Sequence, residues 1–143
     1  MSTELCATIF NELTWIENCA YRREKQLRGC IYGSPKPISN TITYNKHIIV
    51  LEMLNLTPKL NNGCGGKIVG LGVIRNKILD KNIKIYQQGN YNRYIYQSKY
   101  RIDRDEMNKE QEKVMLYLDK ICFYGAHHIK RGQGIFKVPE KLN

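Results

Sequence analysis

Residues 84–104, KIYQQGNYNRYIYQSKYRIDR, hold five of the ten tyrosines (Tyr86, Tyr91, Tyr94, Tyr96 and Tyr100) and five basic side chains (Lys84, Arg93, Lys99, Arg101 and Arg104) against one acid, Asp103. The pattern predicts a strand over residues 93–102. Successive side chains of a strand alternate between faces, so Tyr94, Tyr96, Ser98, Tyr100 and Ile102 share one face. Arg93, Ile95, Gln97, Lys99 and Arg101 share the other. Two readings follow. In one, the tyrosines are a core face and the cations an ordinary solvated face. In the other, the strand belongs to a nucleic-acid platform, with cations on phosphates and tyrosines stacking on bases. The readings are compatible, because a buried tyrosine row would hold the cationic row rigid.

Working outward, residues 47–56 (HIIVLEMLNL) and 67–75 (KIVGLGVIR) are apolar runs of strand length. The link between them, TPKLNNGCGG, has the Pro, Asn and Gly residues of a hairpin with a longer tip. Gly70 and Gly72 fall on one face of the second run and leave room for a close backbone, a bulge or sharp curvature. Glu52, in the first run, is either outward-facing or a buried acid. Arg75, Lys77, Lys81 and Lys84 then form a basic connector whose only acid is Asp80. Upstream, residues 29–39 (GCIYGSPKPIS) read as a short strand and a loop kept extended by Pro35 and Pro37.

Residues 2–26 predict one long amphipathic helix, with Leu5, Ile9, Leu13, Ile16 and Ala20 recurring on one face and Gly29 ending it. Phe10 and Trp15 widen its apolar surface enough for a broad groove or a second copy of the chain. Downstream, Asp103 or Asp105 is placed to cap a second helix that ends near Phe123 or Tyr124. Its apolar side is read as Met107, Val114, Leu118, Ile121 and Cys122, and Gly125 terminates it. A final strand follows over residues 135–138. The expected architecture is α+β, a single domain spanning 1–143. Residues 1–28 form an N-terminal helix, and 29–143 a β-rich body built on a small curved antiparallel or mixed sheet or partial barrel.

A chain of 143 residues can bury a core without metal or disulfide staples. Its 23 Lys plus Arg against 13 Asp plus Glu give a net charge of +10. An excess of that size bears on partners rather than on fold, and nucleic acid is the commonest polyanion. No apolar run approaches the roughly 20 residues of a membrane span, and the first residues lack the pattern of a secretory signal. A soluble, intracellular protein with no membrane partner is expected. The five cysteines, Cys6, Cys19, Cys30, Cys64 and Cys122, are scattered and form no Cys-x-x-Cys pair. They read as reduced, mostly buried small residues, with no metal and no cofactor.

No nucleophile elbow, Walker loop or His-Glu-x-x-His helix is present. His127 and His128 beside Cys122 suggest a base and a nucleophile, but a helix C-terminus disfavours a thiolate. Residues 125–138 carry Lys130, Arg131 and Lys137 with no acid, and Gly132 and Gly134 would let backbone N–H groups approach an anion. The same residues also suit a plain basic hairpin turn.

In order along the chain, IYGSPKPIS, IVLEM, KIVGLGVIRNK, YNRYIYQSKYRIDR and HHIKRGQGIFKVP resemble a small uncharacterised family of large cytoplasmic DNA viruses of the mimivirus and marseillevirus kind. More distantly, the strand and late-helix order is similar to PUA-like domains of the EVE and YTH types, compact barrels that bind nucleic acid. The viral resemblance implies a place in the host cytoplasm, in viral factories or virions. The leading expectation is a non-enzymatic nucleic-acid-binding protein, DNA ahead of RNA, acting as a homodimer. Its contacts are assigned to Arg75, Lys84, Arg93, Tyr94, Tyr96, Lys99, Arg101, His128, Lys130, Arg131, Gly132 and Gly134. The alternatives are a PUA-like reader or hydrolase of a modified base or nucleotide, with Tyr44, Trp15 or a central tyrosine stacking on the base, and a virion scaffold that neutralises packaged genome.

Overall fold

The computed structural model describes residues 3–55, 66–123 and 134–138, with the side chains of 121–123 outside that description. The expected hairpin tip, the stop at Gly125 and the side chains of Ile121 and Cys122 therefore lie outside the described residues. So do His127, His128, Lys130, Arg131 and Gly132.

The first element is a strand, β1 (Glu4–Phe10), and only then a helix, α1 (Glu12–Glu24). The single helix expected over 2–26 is thus corrected. Asn11 divides it: its Oδ1 accepts from the Thr14 backbone N–H at 2.8 Å, and Thr14 Oγ1 accepts from the Asn11 N–H at 3.0 Å, which closes a capping box. The helix also ends before Gly29. Gln26 takes a positive φ of 55°, and the Leu27 N–H donates to the Arg22 carbonyl at 2.8 Å.

Strand β2 (Cys30–Ser34) precedes β3 (His47–Asn55) and β4 (Gly66–Arg75), which pair antiparallel as their apolar runs predict. The expected continuous strand over 93–102 is broken. β5 (Tyr94–Ser98) pairs with β2 in a two-stranded sheet, whereas β6 (Tyr100–Asp103) pairs with β4 in the main sheet. Lys99 is the step between the two sheets. Ser98 makes the step possible, because its hydroxyl donates to the Val73 carbonyl and accepts from the Tyr100 N–H at 3.0 Å.

α2 (Lys109–Phe123) and β7 (Ile135–Lys137) complete the chain. Asn108 caps α2, with the Gln111 N–H donating to its Oδ1 at 2.8 Å. Asp103 instead caps a 3₁₀ turn, Arg104–Glu106. α2 docks through a polar pin as well as through apolar side chains. Arg104 donates to the Ile68 carbonyl at 2.7 Å and pairs with Asp119 at 3.0 Å and Glu112 at 2.8 Å, while Asp119 accepts from the Ile68 N–H at 2.8 Å. Met115 and Asp119 are the buried positions, Met107 and Leu118 of the expected apolar side pack half-buried against the same core, and Val114 is left exposed.

The main sheet has the order β6-β4-β3-β1-β7, with β1 and β3 parallel and the remaining pairs antiparallel. The architecture is α+β as expected, with a mixed sheet that does not close into a barrel. One face packs Cys6, Phe10, Val50 and Ile74 against Ile31, Tyr32, Ile95 and Tyr96 of the small sheet, with Trp15 of α1 alongside. The other face packs Ala7, Leu51, Met53 and Ile68 against Met115 of α2. Phe10 and Trp15, expected to widen a free helical surface, instead meet each other with ring centroids 5.0 Å apart. Leu13 and Ile16 of α1 remain exposed.

Candidate nucleic-acid interface

The central tyrosine and arginine row divides into an internal part and a surface part. The dividing agent is a buried polar network on the face of the main sheet that meets β2. Glu52 is 2% exposed and stands across from Gly70, while Arg101 of β6 stands across from Gly72. A β-carbon on Gly70 would strike both the Arg101 guanidinium and Glu52 Oε1, and one on Gly72 would strike the Tyr32 hydroxyl and Cys30 Sγ. The two glycines thus create the room that the sequence suggests, and side chains fill it. Arg101 Nη2 donates to Glu52 Oε1 at 2.6 Å, its Nε reaches Glu52 Oε2 at 3.0 Å, and its Nη1 meets Asp103 at 3.1 Å. The Tyr32 hydroxyl completes the set, donating to Glu52 Oε2 at 2.6 Å. The Trp15 ring covers the guanidinium at 5.8 Å.

Burial works against the charge on Arg101, but its bonds to Glu52 and Asp103 outweigh that and hold its pKa above the ordinary arginine value. Burial, and next the Glu52 charge, push the Tyr32 hydroxyl well above the usual tyrosine range.

This geometry corrects two of the expected contacts. Arg101 has a side chain only 6% exposed and already neutralised by two carboxylates, so it offers nothing to a phosphate. Tyr96 is a core residue whose hydroxyl accepts from the Ile38 N–H at 2.9 Å, so no base can stack on it. Gly134 is a third correction. It takes a positive φ of 66°, and the place of its missing β-carbon is filled by the Ser34 side chain rather than left open to an anion. Arg93 and Lys84 are exposed but do not line the groove described next, and Tyr94 is half-buried against the core.

Arg75 and Lys99 are brought together. They line a groove of about 660 Å³ with Lys77, His47, Asp80 and Tyr100, together with the apolar Val73, Ile74, Ile78 and Leu79. Local hydrogen bonds explain the convergence. His47 and Arg75 are cross-strand partners at the ends of β3 and β4. The chain after Arg75 is tied down where the Asn76 N–H donates to the Lys46 carbonyl at 2.9 Å and the Leu79 N–H to the Ile95 carbonyl at 2.7 Å. That folds Lys77 and Asp80 back over the small sheet, beside the step that presents Lys99. Tyr100 is 59% exposed, and Lys99 Nζ lies 5.7 Å from its ring centroid. Arg75, Lys77 and Lys99 are all exposed, and none forms an ion pair with a carboxylate of the described residues.

From the sequence Lys77 was read only as part of a basic connector, and His47 only as the start of an apolar strand; neither was assigned as a contact. The available signal was the Arg-Asn-Lys run immediately after a strand, which sets two cations at one sheet edge. Tyr44, expected in a base-reading cleft, is exposed and lines a separate hollow of about 300 Å³ that contains no carboxylate. No group of three or more His, Cys, Asp or Glu suited to a metal occurs among the described residues. Cys6 and Cys30 are buried free thiols, and burial pushes Cys6 up to about 11. Among the described residues no helix is long and apolar enough to cross a membrane.

Compared with protein-family models, curated proteins and solved structures, the chain gives no match.

Proposed function

We propose that the chain is a non-enzymatic nucleic-acid-binding protein whose contact surface is the Arg75–Lys77–Lys99 groove. The observation that carries this reading is the meeting of three cations without an ion pair to a described carboxylate, from two segments more than twenty residues apart, around an exposed tyrosine in one open groove. Cations without carboxylate partners are available to phosphates, and an exposed ring beside them offers a stacking surface for a base. The net charge of +10 supports the same partner. Asp80, the carboxylate lining the groove among the described residues, opposes a phosphate there but is outnumbered three to one by cations.

The test is fluorescence anisotropy with a labelled oligothymidylate of about 20 nucleotides at about 50 mM salt. Arg75→Ala/Lys77→Ala/Lys99→Ala is expected to abolish most of the binding. Tyr100→Ala is expected to cost roughly 1–3 kcal/mol, the range for loss of one base–aromatic stack. Unchanged affinity in the triple variant would overturn the reading.

A further inference from the structure

A second cleft, of about 480 Å³, opens beside α1 and is lined by Trp15, Cys19, Arg22, Arg23, Arg28 and Asp103 among others. Its cations are differently prepared. Arg22 is fixed: its Nε donates to Asn18 Oδ1 at 2.9 Å, and its guanidinium lies 5.5 Å from the Trp15 ring centroid. Asn18 is itself buried and anchored, donating to the Ile31 carbonyl at 2.7 Å and the Tyr86 hydroxyl at 3.0 Å. Arg23 and Arg28 are exposed and make no ion pair with a carboxylate of the described residues. The cleft's carboxylate, Asp103, is engaged by Arg101 at 3.1 Å. An arginine held in place and two exposed ones outnumber the cleft's single carboxylate among the described residues, Asp103, which shares Arg101 with Glu52, and that balance is suited to an anion.

The two clefts share no lining residue, but their linings come close at one point. Arg28 lines the second and Lys99 the first, and the residue between them in space is Gly29. Its backbone lies so near the Ser98 carbonyl and the Lys99 Cα that a β-carbon there could not be accommodated. The close approach of α1's exit to the step between β5 and β6 therefore sets the arginine cleft and the lysine groove side by side.

We infer that the two clefts form one continuous track for a single nucleic-acid strand, running from Arg75, Lys77 and Lys99 across the Gly29 junction to Arg28, Arg23 and Arg22. This deepens the reading above and rests on it. The single strand follows from shape. A duplex is read by a helix or ribbon that projects into its groove, whereas these cations line concave clefts that admit one backbone and let its bases turn toward Tyr100.

Cys19 supplies a built-in probe, because it lines the second cleft and is partly exposed while Cys6 and Cys30 are buried. Alkylation of the full chain is followed at Cys19 by peptide-resolved mass spectrometry, with and without an oligothymidylate of about 20 nucleotides at a concentration shown by anisotropy to saturate. The track predicts that bound oligonucleotide slows Cys19 modification about tenfold or more. It also predicts that Arg23→Ala/Arg28→Ala weakens binding about tenfold, and that Arg23→Lys/Arg28→Lys restores most of it. An unchanged Cys19 rate at saturation, with full affinity in Arg23→Ala/Arg28→Ala, would overturn the track and leave the first groove standing as the site. Absence of binding by the wild-type chain would instead overturn the reading of the groove itself.

Discussion

Glu52 and Arg101 show how a single pair of charges can be taken into a sheet protein and what it costs to separate them. Removing one partner of a buried pair leaves the other desolvated and uncompensated, so Arg101→Ala should destabilise the fold by roughly 3–5 kcal/mol in urea titrations. Tyr32→Phe, which removes one bond to a charged acceptor, should cost roughly 1.5–3 kcal/mol. A pH dependence follows from the same region. Burial raises the hydroxyl pKa values of Tyr32, Tyr86 and Tyr96 above the ordinary tyrosine value. Between about 10 and those raised values the unfolded chain has released protons that the native chain retains, so rising pH favours unfolding. Stability from these groups should be intact below about pH 10 and decline above it. A urea midpoint that does not fall between about pH 9 and pH 11 would contradict this. Part of the network was legible in the sequence: Gly70 and Gly72 signalled a close approach, and Glu52 a possible buried acid. Arg101 was not, because strict alternation put it on a solvated face, and only pairing with β4 turns it toward Glu52.

At the level of elements, two boundaries decide the architecture. Asn11 separates β1 from α1, and Asn11→Ala should remove about 1 kcal/mol through loss of the cap, seen as a lower thermal midpoint with unchanged helix content at low temperature. Leu5, Ile9, Leu13 and Ile16 happen to continue a helical spacing across that boundary, so periodicity alone joins what the Asn11–Thr14 box divides. Only the capping signal could have separated them. The second boundary is Lys99. Nothing in the alternating row 93–102 announces a change of sheet. It depends on contacts distant in sequence, from Ser98 to Val73 and from Gly29 to Lys99. Gly29→Val should therefore disturb the step, costing roughly 3 kcal/mol or more by overpacking against backbone. The β3–β4 hairpin, the β2 strand and the final strand were legible, because each is a short apolar run bounded by turn residues. The phase of α2 was legible only in part: Met107 and Leu118 do pack on the sheet, whereas Met115 takes the place expected of Val114, because the Arg104–Asp119 pin fixes how the helix sits.

Across the whole molecule, the charge excess is sorted by burial. Arg101 and Arg104 are spent on Glu52, Asp103, Glu112 and Asp119, whereas Arg75, Lys77 and Lys99 face an open groove without a carboxylate partner among the described residues. Composition made the excess legible but could not show which cations are committed inside. The most direct measurement is the salt dependence of oligonucleotide binding by the wild-type chain and by Arg75→Ala/Lys77→Ala/Lys99→Ala. Each phosphate neutralised on a single strand contributes about −0.7 to the slope of log affinity against log salt, so loss of three contacts should flatten that slope by about 2. Identical slopes for the two proteins would show that the groove does not hold the phosphates.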